Sequence, residues 1–102
     1  MSDPIFLTSI EGNRQWLDGG AMFGNAPRAL WQKWISPDNK GRISLACRSL
    51  LIEIGNTKIL LETGIGNFFE PEMAERFGVE NYNDHLLINS LDQLGIRETD
   101  ID

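Results

Sequence analysis

The stretch Leu60-Leu61-Glu62-Thr63-Gly64-Ile65-Gly66 comes nearest to a chemical site, because a hydrophobic strand there delivers one carboxylate into a glycine turn. In open α/β sheets ligands collect beyond the carboxyl ends of strands, where loops are free and backbone amides are exposed. Glu62, Thr63 and Gly64 are therefore the first candidates. The same string also reads as an ordinary strand end, with Glu62 bonding local amides and Gly64 and Gly66 making the turn. A second group is the loop Asp18 to Pro27 with Trp31 and Trp34. Its Met22 and Phe23 are more apolar than a solvent loop requires, so they either wall a pocket or staple the loop to the core. Phe68 and Phe69 pose the same choice.

The remaining reactive residues are less suggestive. His85 sits at the start of a helical pattern, where a surface position is the ordinary outcome, and Cys47 lies inside a strand, where a buried inert thiol is expected. Glu70, Glu72, Glu75 and Glu80 read as a solvated acidic face. One cysteine excludes an internal disulfide framework, and one histidine excludes a multi-histidine metal site built by these residues alone. Fifteen acidic against nine basic residues give a net charge of −6, which repels nucleic acid and anionic membranes. No apolar run approaches the roughly 18 residues of a membrane span, and the start Met1-Ser2-Asp3-Pro4 lacks a leader's positive charge, so a cytoplasmic location is the default expectation.

The elements that position these residues follow from periodicity and turn chemistry. Residues 1–102 carry no repeat, linker or charge block and read as part of a single domain. Ile5 to Ile10 reads as a strand, Glu11-Gly12-Asn13 as a turn and Arg14 to Leu17 as the return of a hairpin. Ala29 to Trp34 suits a short helix. Ile43 to Ile54 and Thr57 to Glu62, joined at Gly55-Asn56, form the strongest hairpin signal. Their apolar runs, Leu50-Leu51-Ile52 and Ile59-Leu60-Leu61, imply a sheet covered on both faces. Helical patterns follow over Glu72 to Phe77 and over Asp84 to Leu94. Asp84 is the candidate N-cap of the second, and Leu87, Leu91 and Leu94 form its apolar stripe with Ile88 beside them.

With these residues in view, Leu17-Asp18-Gly19-Gly20-Ala21-Met22-Phe23-Gly24 and Leu60-Leu61-Glu62-Thr63-Gly64-Ile65-Gly66 together resemble the amino-terminal half of metallo-β-lactamase-fold hydrolases. The likeness runs over nearly the whole chain, and the Asp-Gly-Gly-Ala-Met-Phe-Gly string looks like the branch containing lactonase-like enzymes. The resemblance implies an α/β fold, the amino-terminal half of an αββα sandwich. It implies a hydrolase, with two zinc ions, acting on a lactone, ester or amide-like small molecule. That family's His-x-His-x-Asp-His motif and later ligands have no counterpart here, so this chain would supply frame and cleft loops, no metal ligand and no activity alone. By the same likeness Glu62 matches a position where the family usually has Asp, an outer-shell carboxylate orienting the ligands, with Thr63 and Gly64 in the turn that follows. Met22, Phe23 and Phe68 match loops that flank the substrate cleft.

Two other readings stand beside it. Leu-Leu-Glu-Thr-Gly also looks like a dimeric aspartic protease, although a longer Glu would misplace the shared proton of two close carboxylates. A non-catalytic interaction module is the third. Under the half-fold reading the partner is the carboxyl-terminal half of the same fold. Made alone, the chain is expected to aggregate, stay partly unfolded, or form a homo-oligomer through its uncovered sheet face.

Overall fold

A computed structural model describes residues 3–102; Met1 and Ser2, the first half of the acidic start, lie outside the described residues. Three antiparallel strands form a meander in the order β1 (Ile5–Asp18), β2 (Arg42–Ile54), β3 (Thr57–Leu61). The β2–β3 hairpin turns at Gly55-Asn56 as its sequence requires. Gly55 takes φ 57°, and Leu50 to Ile54 pair with Leu61 back to Thr57.

The first hairpin expected from the sequence is absent. Residues 5–18 are one strand paired along its length with β2, and Glu11-Gly12-Asn13 is a register shift within it. The cause is tertiary. Gly12 lies so close to β2 that a β-carbon would stand 2.8 Å from the Cys47 carbonyl oxygen. Asn13, 2% exposed, turns inward instead of closing a turn. Its amide nitrogen donates toward the carbonyls of Glu80, Asn81 and Asp84 at 3.2, 3.1 and 3.0 Å, and its oxygen accepts the Leu86 N–H at 3.3 Å. A strand bulge is thus used to anchor the segment entering the last helix. Nearby, Trp16 N–H donates to the Gly78 carbonyl and Glu80 N–H to the Arg14 carbonyl, both at 2.9 Å, which covers this part of the outer edge of β1.

Among the described residues four short helices accompany the sheet, α1 (Gly19–Phe23), α2 (Arg28–Trp31), α3 (Pro71–Arg76) and α4 (Leu86–Gln93), followed by a 3-10 turn at Glu98–Asp100. The segment Ala21 to Pro27, read as a loop, thus begins inside a helix. That helix exists because Asp18 caps it, accepting the Ala21 N–H at 2.9 Å. The N-cap of α4 is His85, whose Nδ1 accepts the Ile88 N–H at 3.4 Å, and not Asp84. Asp84 instead lends its carbonyl to Asn13. Leu87 and Leu91 are buried, whereas Leu94 and Ile88 stay exposed, because α4 ends at Gln93 and touches the sheet along a narrower stripe than the sequence suggested. Ser90 Oγ fixes its position by donating to the Glu11 carbonyl at 2.7 Å.

Strand alternation sorts the sheet into two unlike faces. Ile10, Leu51 and Leu60 pack with Leu87, Leu91, Ile96 and Ile101 under α4, which forms the core. By register the opposite face carries Ile5, Leu7, Leu50, Ile52, Ile54, Ile59 and Leu61. Ile5 and Leu7 are 62% and 64% exposed there, and Phe6, which the register puts on the α4 side, is 61% exposed, so α4 covers the sheet around Ile10 and Leu51 and the start of β1 is open on both faces.

Candidate functional site

Glu62 follows the last residue of β3, and the turn after it is left-handed at every second residue: φ is 72° at Glu62, 71° at Gly64 and 68° at Gly66. Only glycine enters that region without steric penalty, which explains the two glycines of the motif. A β-carbon on Gly64 would face Leu87 of α4 at 3.7 Å, so the turn folds back toward the core side of the sheet. Glu62 and Thr63 are solvent-exposed.

Glu62 and Gly64 share an open cavity of about 370 Å³ with Gln15, Leu45, Ala46, Cys47, Arg48 and Ile65. The β1–β2 register brings Gln15 opposite Leu45, so this cavity joins two strands, β1 and β2, and the turn that follows β3. Burial pushes the Cys47 thiol up from its ordinary value, and the nearby charge of Arg14 and a hydrogen bond with Gln15 offset this only in part, so the sulfur is a neutral thiol near pH 7. Gln15 and Arg48 were not singled out from the sequence. Their signal lay in strand pairing, which shifts by the bulge at Gly12-Asn13 and so could not be counted along the chain.

The second candidate group has a different build. Gly19 lies under Trp31, where a β-carbon would come within 2.4 Å of the indole, and Gly19 N–H donates to the Gly41 carbonyl at 2.9 Å. The Asp-Gly-Gly string therefore lets a 2% exposed tryptophan sit directly on the backbone. Phe23 stacks on Trp31 with ring centroids 5.3 Å apart and planes 10° from parallel, and meets Trp34 at 6.0 Å. It is a staple within its own loop. Met22, Leu30 and Trp34, 48%, 46% and 70% exposed, are the large apolar side chains this segment offers to solvent. Phe68, 88% exposed, lies against Gly66 and lines a shallow recess of about 200 Å³ with Ile65 and Phe69.

Among the described residues no three of His, Cys, Asp and Glu converge as metal ligands would, so these side chains by themselves do not fit a metal ion. No helix of the described residues is long and apolar enough to cross a membrane. No protein-family model and no curated protein matches the chain. A crystal structure does: a probable metal-dependent hydrolase from Staphylococcus aureus matches with a TM-score of 0.88 and 28% sequence identity, over 100% of this chain and 36% of that chain. The chain spans about a third of the length of that hydrolase and shares the fold of the matching part.

Proposed function

We propose that the chain is the amino-terminal part of a metal-dependent hydrolase of the metallo-β-lactamase fold, in its lactonase-like branch, acting on a lactone, ester or amide-like small molecule. The observation that carries this is the match over the whole chain, at 28% identity, to a probable metal-dependent hydrolase. The metal, two zinc ions on this reading, would polarise the scissile carbonyl, with ligands from protein outside these residues. The present chain contributes the frame: β3 and its left-handed turn carry Glu62, Thr63 and Gly64 to the edge of the site, and the loops at Met22, Phe23 and Phe68 border the substrate cleft. The open aliphatic face of the sheet is where the carboxyl-terminal part of the fold packs.

The test is hydrolysis of a γ-lactone and an aryl acetate by protein extended through its downstream continuation. Turnover that is lost on chelation and restored by zinc is the expected result, and chelator-insensitive turnover or none contradicts it. In that protein Met22→Ala raises KM with unchanged metal content. Phe23→Ala also lowers the unfolding temperature, since its ring braces Trp31.

A further inference from the structure

The outer edge of β1 is covered on one side of its bulge and open on the other. Beyond the bulge, Trp16 N–H donates to the Gly78 carbonyl and the Arg14 carbonyl accepts from Glu80 N–H, both at 2.9 Å, so the backbone groups that turn outward there belong to even positions. The extra residue of the bulge reverses the alternation, and the register then puts the outward groups of the first half on Ile5, Leu7 and Ser9. Among the described residues no loop or helix backbone bonds to them. Edge strands are ordinarily blunted by charge, yet the run Ile5 to Ile10 carries none. Asp3, just ahead of it, is turned toward the β2–β3 turn, where a β-carbon on Gly55 would stand 2.8 Å from its carboxylate. Ile5, Phe6 and Leu7, 62%, 61% and 64% exposed, flank this bare edge on both faces of the sheet.

We propose that this edge pairs with the same edge of a second copy of the chain, antiparallel about a two-fold axis at Phe6, joining two three-stranded sheets into one. An axis normal to the sheet keeps each face on its own side, so only registers centred on a residue are allowed. Centred on Phe6, Ile5 and the partner's Leu7 bond through their outward backbone groups, and the two Phe6 side chains meet in the closely spaced pair between them. Centred one residue later, on Leu7, Ile5 would meet Ser9, and Asp3 would meet Glu11, two carboxylates. The exposed apolar residues and the placement of charge thus select a second copy and one register. The edge lies apart from the sheet face assigned to the carboxyl-terminal part, so the pairing does not depend on the hydrolase reading.

The test uses the protein extended through its downstream continuation. Sedimentation at about 100 µM should show dimers, and Phe6→Glu and Phe6→Lys should each raise the dimer dissociation constant about 100-fold, because like charges then face each other across the axis. An equimolar mixture of the two should dimerise again. Phe6→Cys should form an intermolecular disulfide on mild oxidation that the parent lacks, the paired Cα atoms lying about 4.5 Å apart. Ser9→Cys should not, since the two copies of that residue lie roughly 20 Å apart along the strands. A monomeric parent overturns the proposal, as does a mixture of the folded charge variants that stays monomeric. If the charge variants do not fold, the cysteine pair decides: absence of the Phe6→Cys cross-link, or equal cross-linking at Ser9→Cys, overturns the pairing.

Discussion

Asn13 and Ser49 are both buried polar residues, at 2% and 4% exposure, and they make opposite demands on the fold. Asn13 engages four backbone groups, three carbonyls sharing its amide nitrogen and one N–H on its oxygen, whereas among the described residues the Ser49 hydroxyl has no hydrogen-bond partner. Leaving buried backbone groups unpaired costs about 1 to 3 kcal/mol each, partly recovered by relaxation, so Asn13→Ala should destabilise by roughly 2 to 4 kcal/mol. Ser49→Ala should be neutral or stabilising by up to about 1 kcal/mol, because a hydroxyl without a partner is exchanged for a hydrogen. Urea unfolding of the two variants separates them, and equal losses would contradict the assignment. Asn13 also shows a limit of reading along the chain. Gly-Asn between two apolar runs is turn chemistry, and only contacts some 70 residues away make it a bulge.

At the scale of elements, what local physics dictates was legible. Gly55-Asn56 closes its hairpin, Pro71 opens α3, and the glycines of the β3 turn take positive φ. The helix α1 was not: its Asp18 cap is local, but the Trp31 that rests on Gly19 comes from a separate segment. The loop leading into β2 gives a pH test. Asp38 Oδ1 accepts the Lys40 and Arg42 N–H groups at 2.9 and 2.8 Å, and Oδ2 pairs with Arg42 Nε at 2.9 Å. Partial desolvation pushes the carboxyl up, but these bonds and the Arg42 charge outweigh it and hold Asp38 below its ordinary value. A lowered folded pKa contributes stability above the unfolded value of about 3.9, and that stability is lost as pH falls through the folded value. Asp38→Asn should therefore flatten the acid side of the stability–pH curve below about pH 4. An unchanged curve would mean that the loop's hydrogen bonds are not coupled to folding.

The whole molecule is a slab, 52 × 33 × 18 Å, with a radius of gyration of 16.8 Å where a closed domain of this length has about 13 Å. Its accessible surface, 7221 Å², exceeds the roughly 5,800 Å² of a folded monomer of the same mass. The open sheet face contributes to this, together with Phe68, Trp34 and Phe6, which are exposed elsewhere. The continuous apolar runs of β2 and β3 announced two covered faces, and residues 3–102 cover only the one under α4. The chain made alone should thus associate through Leu7, Ile52 and Ile59, and Ile52→Glu should reduce that association in light scattering. A monodisperse wild-type monomer with cooperative unfolding would argue for the interaction-module reading.

The most direct test of the central proposal, that this chain frames a metal site whose ligands lie elsewhere, is elemental analysis after dialysis. The chain alone should retain no stoichiometric metal, and the protein extended through its downstream continuation should retain about two zinc ions per molecule. A tightly held ion near one per chain in residues 1–102 alone, or an extended protein that hydrolyses its substrate with no metal bound, would contradict it.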